Sequence, residues 1–358
     1  MRHALRAQAQ VSRQTTTRPS KDIQQMPTLS LSQIEDLAYR ALCACGASDL
    51  QARPLAIATA ATEAVGVASH GLAYIPIYGE HLRCGKVIGD AKPTVSQAGP
   101  ALLRIDAAHG FAHAAIEAGF DALVAMARSQ GIAGMVLHRS YNCGVLGYHT
   151  TRLAEAGLLA IGATNAPASI APSGGTRPIV GTNPISMAVP GPDGLAFMID
   201  QSASTIAKSE VMKHAREGKP IPLGWALDAD GHPTEDPNAA LKGGTMAPAG
   251  DYKGVGLALI VEVLAAALSG ATLGKDASPF SGPVGGPPAT GQFFMAIDTA
   301  TASVGAFDTR IADLMASVAE QDGARLPGQN RTAKARSAAV SGVDVAEATL
   351  SRIEGLMA

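Results

Sequence analysis

The sequence predicts an α+β fold in which helices from both chain ends flank a mixed α/β middle. Three observations predict it. Apolar residues recur at helical spacing near both ends, while short apolar runs bounded by Pro and Gly occupy the middle. No internal repeat or heptad array replaces that order. The glycine fingerprint of a doubly wound dinucleotide fold is missing. Gly254-Val255-Gly256 lacks a third glycine and lies inside an apolar helix.

Taken in order, the folded part opens at Ser32, with Glu35 three residues on completing a capping box. Ile34, Leu37, Ala38, Ala41 and Leu42 then follow a helical period until Gly46. Ser48 and Gln51 read as a second capping box, for a helix through Glu63 that tolerates Pro54 near its start. Residues 72–84 read as a third helix bent at Pro76. Residues 111–129 form a long amphipathic helix, 132–137 a strand, 148–156 a helix and 158–164 a strand. Residues 185–189 and 195–199 are short strands. Residues 253–267 form a strongly apolar, buried helix, 292–297 a strand, and 309–320 and 345–357 the closing helices.

The chain has 358 residues, a prior of two domains and enough length to bury a core without metal or disulfide support. It is 47% hydrophobic and 16% charged, which excludes a disordered polyelectrolyte. Its 39 Gly and 22 Pro are not periodic, which excludes a collagen-like chain. A net charge of −2 gives no basic footprint for nucleic acid. Cys43 and Cys45 lack metal or redox spacing, and Cys84 and Cys143 stand alone, as reduced thiols of a cytoplasmic protein do. The most apolar stretch carries Glu262 and is too short to span a bilayer. Residues 1–26 form a basic tail, with Arg2, Arg6, Arg13, Arg18 and Lys21 against Asp22 alone, and are expected to be disordered. The tail fits a transit peptide or, more simply, a start site placed upstream of Met26.

Four polar clusters lie among small residues. Ser69-His70-Gly71 offers a general acid or base, or a helix-capping histidine. Ser173-Gly174-Gly175 through Gly181-Thr182-Asn183-Pro184 offers backbone N–H groups to an anion, or a tight loop before a strand. Asp251-Tyr252-Lys253-Gly254 stands at the mouth of the apolar helix, where an anion is favoured. The segment from Arg325 through Leu326-Pro327-Gly328 to Arg331 reads as a turn with two guanidinium groups. Together they outline an enzyme for a small anion and a phosphate-bearing cofactor. No metal-ligand motif accompanies them.

The order of these clusters resembles the type 2 malate/L-lactate dehydrogenases, a family that also holds sulfolactate dehydrogenases and Δ1-piperideine-2-carboxylate reductases. The resemblance runs from Leu29 to Ala358 and is carried by Gly66-Val67-Ala68-Ser69-His70-Gly71, Gly181-Thr182-Asn183-Pro184, Asp251-Tyr252-Lys253-Gly254 and Leu326-Pro327-Gly328. It implies a non-Rossmann, mixed-sheet domain binding NAD or NADP over residues 106–299. It also implies a helical, dimerising domain from residues 27–105 plus 300–358. It further implies a homodimer and hydride transfer at C2 of a 2-oxo or 2-imino acid. By position, His70 is the proton donor, Ser69 its relay partner and Glu210 a relay carboxylate. Thr182 contacts substrate. Asn142, Asp200, Gln201, Ser202, Tyr252, Lys253, Arg325, Gly328 and Arg331 contact the cofactor, and Arg331 is the candidate for a 2′-phosphate.

Two departures stand on the substrate side. Tyr74 replaces the family's carboxylate-clamping Arg, which removes a bidentate charged contact. Asn142 replaces a His in Ser140-Tyr141-Asn142-Cys143-Gly144 and cannot accept a proton at neutral pH. Arg83, Arg177 and Lys208 are the other cations that could meet a substrate anion. The leading expectation is a dehydrogenase for a sulfolactate-, malate- or lactate-type acid. The alternatives are a cyclic ketimine reductase and a non-catalytic cofactor-binding homologue.

Overall fold

The structure, a computed structural model, describes residues 26–192 and 194–358. The disorder expected of residues 1–25 lies outside them. Strand β1 (Thr28–Leu29) leads into α1 (Leu31–Ala44) and α2 (Asp49–Ala64). The first capping box exists, but two residues earlier than Ser32 and Glu35 predict. Ser30 Oγ accepts from Gln33 N at 3.2 Å and Gln33 Oε1 accepts from Ser30 N at 2.8 Å. The same spacing occurs twice in this run, and the earlier copy lets Leu31 join the helix. Ser48 does cap α2 by position, yet Gln51 forms no box. Its buried amide instead donates to Ala91 O at 2.8 Å and accepts from Phe111 N at 2.7 Å. Pro76 starts a helix rather than bending one. Residues 72–74 form a separate 3₁₀ turn, and α3 (Ile75–Arg83) begins with proline in its first turn, where no N–H is needed.

The centre is a seven-stranded sheet whose strands cover, in spatial order, residues 94–99, 102–106, 132–140, 290–298, 158–164, 185–191 and 194–201. Its first strands are β2 (Thr94–Gly99) and β3 (Leu102–Asp106), which the sequence patterns did not reveal because β2 is an exposed edge. The helix α4 (Ala112–Gln130) precedes β4 (Ile132–Ser140), and α5 (Leu146–Glu155) precedes β5 (Leu158–Thr164). Strands β6 (Ile185–Gly191) and β7 (Gly194–Gln201) complete the far edge. Only the β3–β4 pair is parallel; the other pairings of this sheet are antiparallel. Its core packs Ile105, Ile116, Leu123, Leu137, Leu153 and Phe294 between the strands and α4 and α5.

A smaller lobe follows, with α6 (Lys208–Glu217), β8 (Ala226–Leu227), α7 (Pro237–Leu241) and β9 (Thr245–Met246). Helix α8 (Tyr252–Glu262) continues into a π-helical turn over Val263–Ala267. This helix is not buried as its composition predicts. Leu259, Ile260, Val263 and Leu268 are 42%, 54%, 58% and 52% exposed, because only one side packs on the sheet and the lobe. The central strand β10 (Thr290–Asp298) leads to α9 (Thr299–Ser303) and α10 (Phe307–Ala319). Helix α11 (Gln329–Ser341) begins inside the segment read as a turn. It escapes notice in the sequence because Ala338 is its one buried residue. Strand β11 (Val343–Asp344) pairs antiparallel with β1, and α12 (Glu347–Glu354) closes the chain. Val345 and Ile353 join Ile34, Leu42, Leu55 and Ile75 in one core, so the two chain ends pack together.

Asn183, singled out within Gly181-Thr182-Asn183-Pro184, is fully buried and belongs to a polar network beneath the sheet. Its Nδ2 donates to Ala258 O at 2.9 Å and to Glu262 Oε2 at 2.7 Å, and its Oδ1 accepts from Ala166 N at 3.1 Å. Glu262 Oε1 accepts from Gly274 N at 2.6 Å and from Asn165 Nδ2 at 3.4 Å. One buried carboxylate thus satisfies donors from three loops. Glu262→Ala strands those donors, and urea unfolding should show a loss of about 3 kcal/mol. A loss below about 1 kcal/mol would mean that water replaces the carboxylate.

Candidate active site

After α2 the chain turns through a 3₁₀ segment, Ala68–His70. Ser69 Oγ and His70 Nδ1 lie 3.1 Å apart, which orients the half-buried imidazole. Burial holds the His70 pKa below its ordinary 6.5, while the Asp200 carboxylate pulls it up and the Arg331 guanidinium pushes it down. Both charges therefore stand near the ring. They pair with each other: Arg331 Nη1 donates to Asp200 Oδ2 at 3.1 Å, and Gly147 N donates to the same oxygen at 3.2 Å. Strand β7 supplies Asp200 and the first turn of α11 supplies Arg331. Gly328 makes that approach possible. Its φ is +80°, and a Cβ there would come within 2.8 Å of Met198 O.

The Tyr74 ring lies parallel to His70, with centroids 6.1 Å apart and planes 2° from parallel. Its hydroxyl donates to Phe280 O at 3.2 Å, so its single proton is already engaged. Burial pushes its pKa up to about 12, which keeps it neutral. Edge-to-face contacts continue from Tyr74 to Tyr78 at 4.7 Å. Tyr78 OH then donates to Asn142 Oδ1 at 2.9 Å, which also accepts from Gly144 N at 3.2 Å. Asn142 Nδ2 is buried without a partner among the described residues. The loop carrying Phe280 is held down elsewhere too. Lys86 Nζ donates to Pro279 O at 2.8 Å, and His81 Nε2 lies 3.1 Å from Gly282 O.

Beneath Asn142 lie two histidines that sequence reading missed. His113 and His149 are fully packed with ring centroids 5.3 Å apart, and His149 Nε2 lies 2.9 Å from Cys143 O. Burial forces both to stay neutral, with His149 pushed down to about 4.

Two cavities flank Asp200. One of about 490 Å³ is bounded by α2, α5, β7 and α11; Val65, Gly147, Met198, Gly328 and Arg331 line it. The other, about 470 Å³, is lined by Gln201, Ser202, Ser204, Lys253 and Gly254. Thr182 stands next to the second: its carbonyl accepts from Ala203 N at 2.8 Å. The structure thus gathers Ser69, His70, Tyr74, Asn142, Asp200, Gly328 and Arg331 into one neighbourhood, and Thr182, Gln201, Ser202 and Lys253 into the adjoining one.

Other candidates fall outside. Tyr252 is 65% exposed and Arg325 is exposed on the turn before α11. Glu210, on α6, makes no side-chain hydrogen bond or ion pair among the described residues, and the hydroxyl of Ser69 meets only His70. Arg83 is spent on Leu356 O at 2.7 Å, while Arg177 and Lys208 are exposed. The Asp200–Arg331 pair spans 131 positions, and no spacing rule exposes such a contact.

Three features suit a phosphate-bearing dinucleotide: a cavity on each side of Asp200, a cation lining each of them, and a buried amide at Asn142 without a partner among the described residues. The sequence profile of the malate/L-lactate dehydrogenases matches residues 29–354. The chain belongs to that family. It is 43% identical over 308 residues to the (2R)-3-sulfolactate dehydrogenase (NADP(+)) of Chromohalobacter salexigens, covering 86% of this chain and 92% of the relative. It is 37% identical over 331 residues to a Δ1-pyrroline-2-carboxylate reductase of Ancylobacter novellus, covering 92% and 97%. Among solved structures, the Δ1-piperideine-2-carboxylate reductase of Pseudomonas syringae pv. tomato superposes with a TM-score of 0.87 at 35% identity, covering 92% and 99%. Among the described residues, no helix is long and apolar enough to cross a membrane.

The buried histidines set an acid limit on the fold. His149 binds its proton near pH 4 when folded and near 6.5 when unfolded, so the unfolded chain takes up more protons between those values. Stability falls as pH drops through that window, by up to about 3 kcal/mol from this residue alone. Denaturant titrations at several pH values should show the fall, and His149→Gln should flatten it. An unchanged slope in the variant would place the acid sensitivity elsewhere.

Proposed function

We propose that this chain is an NAD(P)-dependent oxidoreductase acting between C2 of a small 2-hydroxy acid and the corresponding 2-oxo acid, of the sulfolactate, malate or lactate type. The observation that carries the reading is the Ser69–His70 pair within reach of the Asp200–Arg331 ion pair, which has a cavity on either side. The nicotinamide cofactor, when bound, supplies or accepts the hydride. His70 gives a proton to the oxygen on C2 in reduction and takes it back in oxidation. Ser69 holds the imidazole by its Nδ1, leaving Nε2 to face the substrate. Its lowered pKa makes the neutral, proton-accepting form the resting one at neutral pH.

Asn142, Asp200, Gln201, Ser202, Lys253, Gly328 and Arg331 form the cofactor-facing walls in this reading, with Tyr252 and Arg325 at the margin. Thr182 faces the substrate. Glu210, on α6, is the relay carboxylate of this reading and makes no hydrogen bond to Ser69 among the described residues. Tyr74 shapes the substrate pocket with its ring, since its hydroxyl is engaged by Phe280.

That last observation favours a second reading within the same chemistry. An aromatic plane beside His70, in place of a charged clamp, suits a cyclic ketimine whose ring nitrogen His70 protonates. The relatives named as pyrroline- and piperideine-carboxylate reductases are consistent with it.

The shared core of the two chain ends supports a helical body from residues 27–105 with 300–358, set against a cofactor-binding body over 106–299, with β2 and β3 crossing to the sheet. The proposal includes a cytoplasmic homodimer. The uncovered apolar side of α8 supports self-association, because a helix apolar all round is normally covered.

The test is oxidation of NADH and NADPH, followed by absorbance, with pyruvate, oxaloacetate, sulfopyruvate and Δ1-piperideine-2-carboxylate. Turnover of an oxo acid supports the first reading and turnover of the ketimine alone the second. Cofactor binding without any turnover would make the chain a non-catalytic homologue. With an active substrate, His70→Asn should lower kcat at least about a hundredfold and leave cofactor affinity within about twofold. Near-wild-type kcat in this variant would remove His70 from proton transfer.

A further inference from the structure

The cavity between α2, α5, β7 and α11 extends beyond the residues assigned above. Its near end holds Arg331 and Gly147, both bound to Asp200 beside His70. Its far end is rimmed by Arg152 and Arg336, with Glu155 as the acid at the same rim. The walls between are apolar: Val65, Leu195 and Met198.

The three arginines are not equivalent. Arg331 is neutralised by Asp200. Arg152 is paired with Glu117 at 2.8 Å and its guanidinium lies 4.1 Å from the centre of the Phe120 ring. Arg336 has no carboxylate within ion-pair distance among the described residues, and it is exposed on the cavity side of α11. It sits five residues past Arg331, roughly 7.5 Å farther along the helix axis from His70. The helix packs on the end of α2, where a Cβ on Gly66 would come within 2.8 Å of Lys334 Nζ.

A nicotinamide dinucleotide must place its nicotinamide ring beside the proton donor. The 2′-phosphate of NADP stands on the opposite nucleoside, beyond the pyrophosphate. Arg331, beside His70, is at the wrong end to read it. We infer that this cavity takes the adenosine half of the cofactor, with Arg336 binding the 2′-phosphate and so selecting NADP over NAD.

The inference rests on the dinucleotide reading proposed above. The adenine has apolar walls to lie against, and the unpaired guanidinium offers forked donors that match a phosphate. Glu155 is the one acid lining this cavity, and Arg336 is the lining arginine with no carboxylate within ion-pair distance among the described residues.

The experiment is calorimetric titration of the full chain with 2′,5′-ADP, 5′-AMP and inorganic phosphate, with NADPH and NADH as references. The wild type should bind 2′,5′-ADP at least about tenfold tighter than 5′-AMP, the effect of one charge-assisted contact. Arg336→Met should abolish that preference and leave 5′-AMP within about twofold, and Arg336→Lys should restore part of it. The inference is overturned if Arg336→Met keeps the preference or the wild type shows none. It is also overturned if inorganic phosphate binds as tightly as 2′,5′-ADP, which would mark a phosphate site without a nucleoside. Failure of both NADPH and NADH to bind would instead remove the dinucleotide reading itself.

Discussion

Asp200 Oδ2 accepts from the backbone at the start of α5 and from Arg331 on α11. The middle of the chain and its C-terminal helix meet at that oxygen, and the 3₁₀ turn bearing His70 stands within reach of its charge. The helical and sheet parts have separate apolar cores, so burial alone does not set how they meet. A directional, charged contact fixes that geometry where apolar packing would leave it loose. The Gly328 backbone, pressed on Met198, then leaves α11 little freedom to slide along β7.

Around this point the pocket is more aromatic and less cationic than the family pattern leads one to expect. Tyr74 lies parallel to the His70 ring and donates to a carbonyl of the loop that carries Phe280. Asn142 accepts a hydrogen bond from the Tyr78 hydroxyl, and its buried amide N–H groups have no partner among the described residues. The two departures are coupled through Tyr78, whose ring touches one and whose hydroxyl touches the other. They form one aromatic and amide surface rather than two separate losses of charge.

The sequence made some parts legible and not others, for physical reasons. The long helix before β4, the strands β5 and β10 and the apolar α8 carry strong periodicity or apolar runs, and each lies where its pattern puts it. Caps were harder, because Ser30/Gln33 and Ser32/Glu35 present the same spacing and only three-dimensional fit separates them. Strand β2 and helix α11 bury almost nothing, so they carry no apolar stripe to read. At the site, local motifs exposed Ser69-His70 and Gly328. The partners that give them meaning, Asp200 with Arg331 and Tyr78 with Asn142, are contacts between distant segments. Asn183, in a motif open to either an anion site or a tight loop, is a buried brace for Glu262.

The π-helical turn after α8 bears on how this chain can change length in evolution. Leu268 N donates to Val263 O at 2.8 Å and Ala271 N to Ala266 O at 3.0 Å, so each bond encloses one residue more than an α-helical turn. Such a turn is the mark of a single inserted residue absorbed without breaking the helix. Deleting one residue between Val263 and Ala267 would restore a continuous α-helix and rotate all that follows by about 100°. Glu262, before the turn, would keep Asn183 and Asn165 and lose Gly274 N, which lies downstream. Ser269, whose hydroxyl bonds Ala265 O, would swing off the sheet. A gap of one residue is therefore mechanically cheap on the upstream side of this segment and costly on the downstream side.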